Sequence, residues 1–334
     1  KGMCRLCDSN QGHQIFIMDN ILNLDHYNNF GYEQFDQLYN ESDLAFLREQ
    51  LEKEFEKKNY PPKMNLFDIS NKEIIKKIIG TYNNSQILEI IKTFENKFNT
   101  KVSILPEFTI QRNYHVNIKK RHGWHRDCGG ELSYSYCNKL LGDNKYVFAK
   151  AAIYLQENKS YGGAIDLIPM SHTHIKKKNF LFRKIKGIPL KILFLLYSFF
   201  PKMYNFLNSS LFVYFLGGKK IESIPGQFVL FDSRIVHRSS PILKKEERRK
   251  IEFESKHEYQ ATIPKEYTKF SIYAHFGNSI AVDSFIFDRS KRDNNSDELT
   301  RWNKQKDKVK EFSPELHARI ASILNKVNGN YQAK

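Results

Sequence analysis

Cysteine, tryptophan and acidic side chains are scarce in this chain: its 334 residues hold 4 Cys and 2 Trp, and 53 Lys and Arg stand against 37 Asp and Glu. Cys4, Cys7, Cys128 and Cys137 are too few to staple a chain this long, so a disulfide framework is not expected and a reducing compartment is. Cys4-x-x-Cys7 is half of a zinc-knuckle pattern with no second half nearby, which argues against zinc there. The opening Lys1-Gly2-Met3-Cys4 lacks the apolar core of a secretory leader, and a cytoplasmic location is the expectation. Long apolar runs are missing too. The most apolar stretch, within 190–216, is broken by Pro201-Lys202 and Asn208, short of the about 20 uninterrupted residues that a membrane helix needs. Nothing near Gly129-Gly130 has the pattern of a nucleotide-binding loop.

The excess of basic residues gives a formal charge of +16. Two readings of it stay open. It favours an acidic partner, whether a phosphorylated or carboxylated small molecule, an anionic lipid surface or nucleic acid. It also fits a chain in which Lys and Asn are abundant throughout. No groove-like cluster of Lys and Arg with interleaved aromatics is visible, so a nucleic-acid partner is disfavoured.

What the chain does have is core material, 40% apolar and 14% aromatic residues, enough to exclude wholesale disorder. Leu44, Leu47, Leu51 and Phe55 recur at helical spacing behind a cap at Asn40 or Ser42, and Ile87, Ile90, Ile91 and Phe94 line one face of a second helix over 85–96. From Phe108 the period changes to two, the mark of a strand. The expected organisation is a mostly helical region over 1–105 packing on a β core over 106–290. That core carries a helical insert at 176–220, and a polar tail over 291–334 ends in a helix begun by Ser313-Pro314.

Two stretches carry the chemistry: Arg121-His122-Gly123-Trp124-His125-Arg126-Asp127-Cys128-Gly129-Gly130, and the segment from Pro225-Gly226-Gln227 to His237. Residues two apart on a strand point to one side, so His125 and Asp127 can offer an imidazole and a carboxylate to one point, and His237 would complete the set. Two histidines and one carboxylate on one face of a metal leave the opposite face open, the arrangement of non-heme Fe(II) oxygenases. His-x-Asp alone is a weak signal, and context has to carry it. Trp124 either walls the pocket or anchors its strand, and Asn117 and His115 either face the site or the solvent. Ser171-His172-Thr173-His174 also sets two histidines on one side; buried histidines are more often satisfied by hydrogen bonds, and this pair is read as structural.

The context resembles the phytanoyl-CoA dioxygenase family of Fe(II)- and 2-oxoglutarate-dependent oxygenases over roughly residues 28–290. The matching places are Trp124-His125-x-Asp127, Gly162-Gly163 through Ser171-His172, Gly226 through Asp232, and His237-Arg238-Ser239-Ser240-Pro241. Met170 departs from the pattern, standing where the family usually has Gly, as does Gln227, where it usually has Asp. The resemblance implies a mainly β double-stranded β-helix, or jelly roll, with flanking helices. It implies Fe(II) on His125, Asp127 and His237, with 2-oxoglutarate and O2 as co-substrates, and C–H hydroxylation that releases succinate and CO2. An Asp at 127, where related halogenases have Ala or Gly, points to hydroxylation over halogenation. For the far carboxylate of 2-oxoglutarate, Arg248 fits the position of the family's arginine, with Ser239 adding a hydroxyl; Lys269 and Arg238 are the alternatives.

The family's substrates are diverse, so a small molecule, a sugar or a lipid-like compound is expected and no obligate protein partner is implied. The insert over 176–220 is either a lid packed on the barrel or an interfacial anchor giving peripheral membrane contact through 190–216. The rival functions are a non-catalytic metal-binding module of cupin-like shape and, less favoured, a dioxygenase acting on nucleic acid.

Overall fold

The computed structural model describes residues 24–61, 63–112, 125–128, 140–157, 165–173, 217–239, 268–292 and 297–328. In chain order these form α1 (Leu24–Phe30), β1 (Tyr32–Gln37), α2 (Glu41–Lys57), β2 (Lys63–Asn65), α3 (Lys72–Thr81), α4 (Ser85–Phe98), β3 (Ser103–Arg112), β4 (Phe148–Tyr154), β5 (Ile165–Ile168), β6 (Lys219–Ile221), β7 (Gln227–Asp232), β8 (Val236–Ser239), β9 (Phe270–Gly277), α5 (Ser279–Arg292), α6 (Glu298–Lys310) and α7 (Pro314–Leu324).

The strands make two antiparallel sheets, a six-stranded one ordered β1-β7-β4-β9-β3-β2 and a three-stranded one ordered β6-β5-β8. A bridge between His125 and His237 adds one more rung outside β8. With His125 standing for the second strand, the eight strands from β3 to β9 alternate between the sheets as 1-8-3-6 and 2-7-4-5, the strand order of a jelly roll. The fold is therefore the expected one, a mainly β double-stranded β-helix with flanking helices.

Two hydrophobic layers hold it. Between the sheets lie Tyr32, Tyr154, Leu167, Val229, Phe231 and Tyr273. The other face of the large sheet, with Phe228, Leu230, Ile272 and Ala274, is covered by helices. Side chains on β4 alternate between the two layers, Tyr154 entering the first and Ile153 the second, as the pleat requires.

The helices form where the sequence places caps and apolar stripes. The Asn40 side chain accepts from the Asp43 amide and opens α2, whose Leu44, Leu47, Leu51 and Phe55 are buried. Asn71 and Asn84 do the same for α3 and α4, and Asn99 closes α4 at φ 46. Residues 24–105 are nonetheless not all helix. β1 pairs with β7, and β2 with β3, extending the large sheet at both edges. The polar tail carries a buried stripe as well: Trp302, Leu316 and Ile320 are fully enclosed.

Candidate metal centre

β7 delivers the second histidine through a tight turn. Asp232 ends the strand, its carboxylate accepting from the Arg234 amide (2.8 Å), from Nε (2.8 Å) and from Nη2 (2.7 Å), while Nη1 of Arg234 donates to the Leu140 and Asp143 carbonyls. The pair is buried, and the guanidinium outweighs the upward push of burial to hold the Asp232 carboxyl below its ordinary range. The turn is thereby locked, and β8 leaves it with His237 on the inner side.

Backbone pairing then brings His125 to it. The His125 amide donates to the His237 carbonyl (2.9 Å), and the His237 amide returns the bond to His125 (3.0 Å). Directly opposed residues of an antiparallel pair put their side chains on one face, and the two imidazole centroids lie 4.4 Å apart. The Asp127 amide bonds the Ser233 carbonyl (2.8 Å), which turns its carboxylate back over both rings. Arg126, whose side chain points the other way, donates to the carbonyls of Arg234 (2.7 Å) and Ser171 (3.1 Å) and pins the segment to the turn.

The result is a compact set of donors. Oδ1 of Asp127 is 3.5 Å from Nε2 of His125, and Oδ2 is 3.4 Å from Nε2 of His237. One ligand atom from each residue fits within 4.8 Å of the other two, and among the described residues no other group of His, Cys, Asp and Glu does so. Nδ1 of His237 sits 3.0 Å from the Ile235 carbonyl, which fixes the proton on Nδ1 and leaves Nε2 as the lone-pair donor. Burial pushes the His237 pKa down, against the pull of Asp127. For Asp127 burial acts upward, yet Lys150 and His237 together hold the carboxyl well below its usual range. Both groups are therefore in the deprotonated form that a metal needs, so the donor set fits a divalent cation.

One neighbour was not anticipated. Lys150, on β4, reaches across with Nζ 2.9 Å from Oδ2 of Asp127 and 4.8 Å from the centre of the Tyr273 ring. Its sequence signal is visible in hindsight: a single charge interrupts the apolar run from Val147 to Ile153, and a lone Lys in a buried strand is rare unless paired.

The remaining sequence candidates fall in different places. Trp124, Asn117, His115 and Arg248 lie outside the described residues, as do Cys4, Cys7, His174 and nearly all of the insert. Arg238 sits on β8 opposite Asp166 of β5 and donates to it (2.9 Å), on the side away from His237. It is engaged outside the barrel, and alternation along the strand is the reason. Ser239 shares the side of His237, and Lys269, half-buried just before β9, shares that of Ser271 and Tyr273. His172 is buried with Nε2 2.8 Å from the Asn28 carbonyl, a structural role. Cys128 is fully buried and disulfide-bonded, so scarcity of cysteine did not exclude a single bridge.

No protein-family model matches the chain, and no curated protein does. Among solved structures, EctD from S. alaskensis with 2-oxoglutarate and 5-hydroxyectoine aligns at 11% identity and a TM-score of 0.44, covering 79% of each chain. SnoK, a non-heme alpha-ketoglutarate-dependent carbocyclase from nogalamycin biosynthesis, aligns at 12% identity and a TM-score of 0.43, covering 78% of this chain and 87% of its own. AviO1 from Streptomyces viridochromogenes Tue57 gives 11% identity and a TM-score of 0.43, over 79% of this chain and 96% of its own. These are remote likenesses, and the jelly-roll assignment stands on the chain's own strand order.

Proposed function

We propose that the protein is an Fe(II)- and 2-oxoglutarate-dependent dioxygenase that hydroxylates a C–H bond of a small molecule. The observation that carries this reading is the meeting of His125, Asp127 and His237 between the two sheets of a jelly roll. A 2-His-1-carboxylate set occupies one face of a metal, and the open face is where such a centre supplies oxygen activation coupled to oxidative decarboxylation.

The chain's own residues divide the work. His125, Asp127 and His237 hold the metal; the Ile235 carbonyl orients one imidazole and the His125–His237 backbone pair sets their spacing. For the far carboxylate of 2-oxoglutarate the cation is Arg248, with the Ser239 hydroxyl beside it, or Lys269; the ion pair of Arg238 with Asp166, on the side away from His237, counts against that residue. Phe231, its ring centroid 4.8 Å from that of His237, and the neighbouring Tyr154 and Tyr273 give this part of the interior an aromatic wall.

Apo protein titrated with Mn(II) under anaerobic conditions should bind one equivalent and gain stability in proportion to the logarithm of free metal, about 2.7 kcal/mol at a hundred times Kd. His237→Ala and Asp127→Ala should lose both the binding and the thermal shift. With Fe(II), ascorbate and O2 the wild-type chain should convert 2-oxoglutarate to succinate. Metal uptake without any succinate would favour the rival, a binding module of cupin-like shape.

A further inference from the structure

The unanticipated contact at the site is the ammonium of Lys150 on a metal-ligating carboxylate. Nζ lies 2.9 Å from Oδ2 of Asp127, and the pair is partly buried, with side-chain exposures of 17% and 16%. The Tyr273 ring lies 4.8 Å from the same ammonium. Lys150 stands directly opposite His275 on β9, and its strand is fixed on both edges by β7 and β9, so the lysine is held by rigid elements on either side.

We propose that Lys150 is a positioning residue that fixes which oxygen Asp127 offers and sets the charge of the centre. By holding Oδ2 it would leave Oδ1 as the less engaged oxygen of Asp127, the one offered to a metal. By cancelling the carboxylate charge it leaves the centre with the full double charge of its cation, matched to a doubly charged anion such as 2-oxoglutarate. This rests on the metal reading above and deepens it. The ammonium repels the cation and attracts the anion, so Lys150 gives up metal affinity and gains anion affinity.

That opposition of sign separates the role from a merely structural one. In Lys150→Met, Asp127 regains its charge and its second oxygen: Mn(II) affinity should rise about tenfold, while 2-oxoglutarate retained by the Mn(II)-loaded protein in anaerobic equilibrium dialysis should weaken about tenfold or more. Lys150→Arg, which keeps the cation, should hold both affinities within about threefold of wild type. Lys150→Gln serves if the Met variant does not fold, as judged by circular dichroism and a cooperative melt. If the lysine only supported the fold, both affinities would fall together, and that result, or no change in either, overturns the inference while leaving the metal site standing. A wild-type protein that takes up no Mn(II) overturns the metal reading and this inference with it.

Discussion

Single residues carry much of the local logic. Met170 occupies a left-handed backbone conformation (φ 64) in the turn after β5, and its side chain is exposed. An L side chain is disfavoured there and glycine is not, which gives a physical reason for the Gly that the resembled family usually has at this position. Met170→Gly should stabilise the protein by about 0.5–1 kcal/mol, read as a higher urea midpoint with an unchanged slope. A lower midpoint would mean that the Met side chain contributes packing that outweighs the backbone relief. Gly31 (φ +82) is constrained differently: a Cβ added there would fall 2.5 Å from Nδ1 of His172, so the glycine makes room for the ring that ties α1 to the turn after β5.

At the level of elements, the strands deliver the donors and the turns aim them. The β7–β8 turn depends on the buried Asp232–Arg234 pair, whose separation in sequence is only two residues. Removing one partner strands the other charge in the interior, so Arg234→Met should cost about 3–5 kcal/mol. The Asp232→Asn, Arg234→Met double variant should recover part of that loss, because no uncompensated charge remains. Urea unfolding of Asp232→Asn, Arg234→Met and the double variant measures the coupling; additive losses would show that the pair is not what secures the turn. β3 shows a second device of this kind. Its register with β9 shifts between Leu105 and Thr109, at Pro106, which has no amide hydrogen to give to a ladder. The shift turns Glu107 into a buried position, where Arg289 of α5 (2.6 Å) and Arg301 of α6 (3.3 Å) meet it and fasten the C-terminal helices to the sheet.

For the whole molecule, acid should be destabilising through a group outside the candidate metal ligands. His275 of β9 is enclosed, its ring centroid 5.4 Å from that of Phe148 and 5.9 Å from that of Phe285; burial pushes its pKa down from 6.5 to about 4, against the pull of Glu107. The unfolded chain takes up this proton near pH 6.5 and the folded chain only near pH 4, so stability is fully present above about 6.5 and falls as the pH drops through that window. The full loss is about 3 kcal/mol for this one group. Between pH 7 and 4.5, His275→Gln should flatten the dependence of unfolding free energy on pH by up to one proton. A variant with the wild-type slope would assign the acid sensitivity elsewhere.

The sequence by itself determined the elements with strong periodic or capping signals. Asn40, the leucines of α2 and the isoleucines of α4 read correctly because capping and a 3.6-residue stripe are local properties. The triad candidates were legible as a short His-x-Asp motif, but strand alternation is not what aims Asp127: of the two only His125 makes a ladder bridge, and Asp127 lies in a bend held by the Ser233 carbonyl. β1 was not legible: Tyr32 to Gln37 gains its strand identity from lying along β7, a contact almost two hundred positions away. Nor was the place of Lys150 or Arg238 relative to the candidate donors. A side chain's choice of face, and of partner across a barrel, is set by register between distant strands, and register is a property of the folded sheet and not of any one segment.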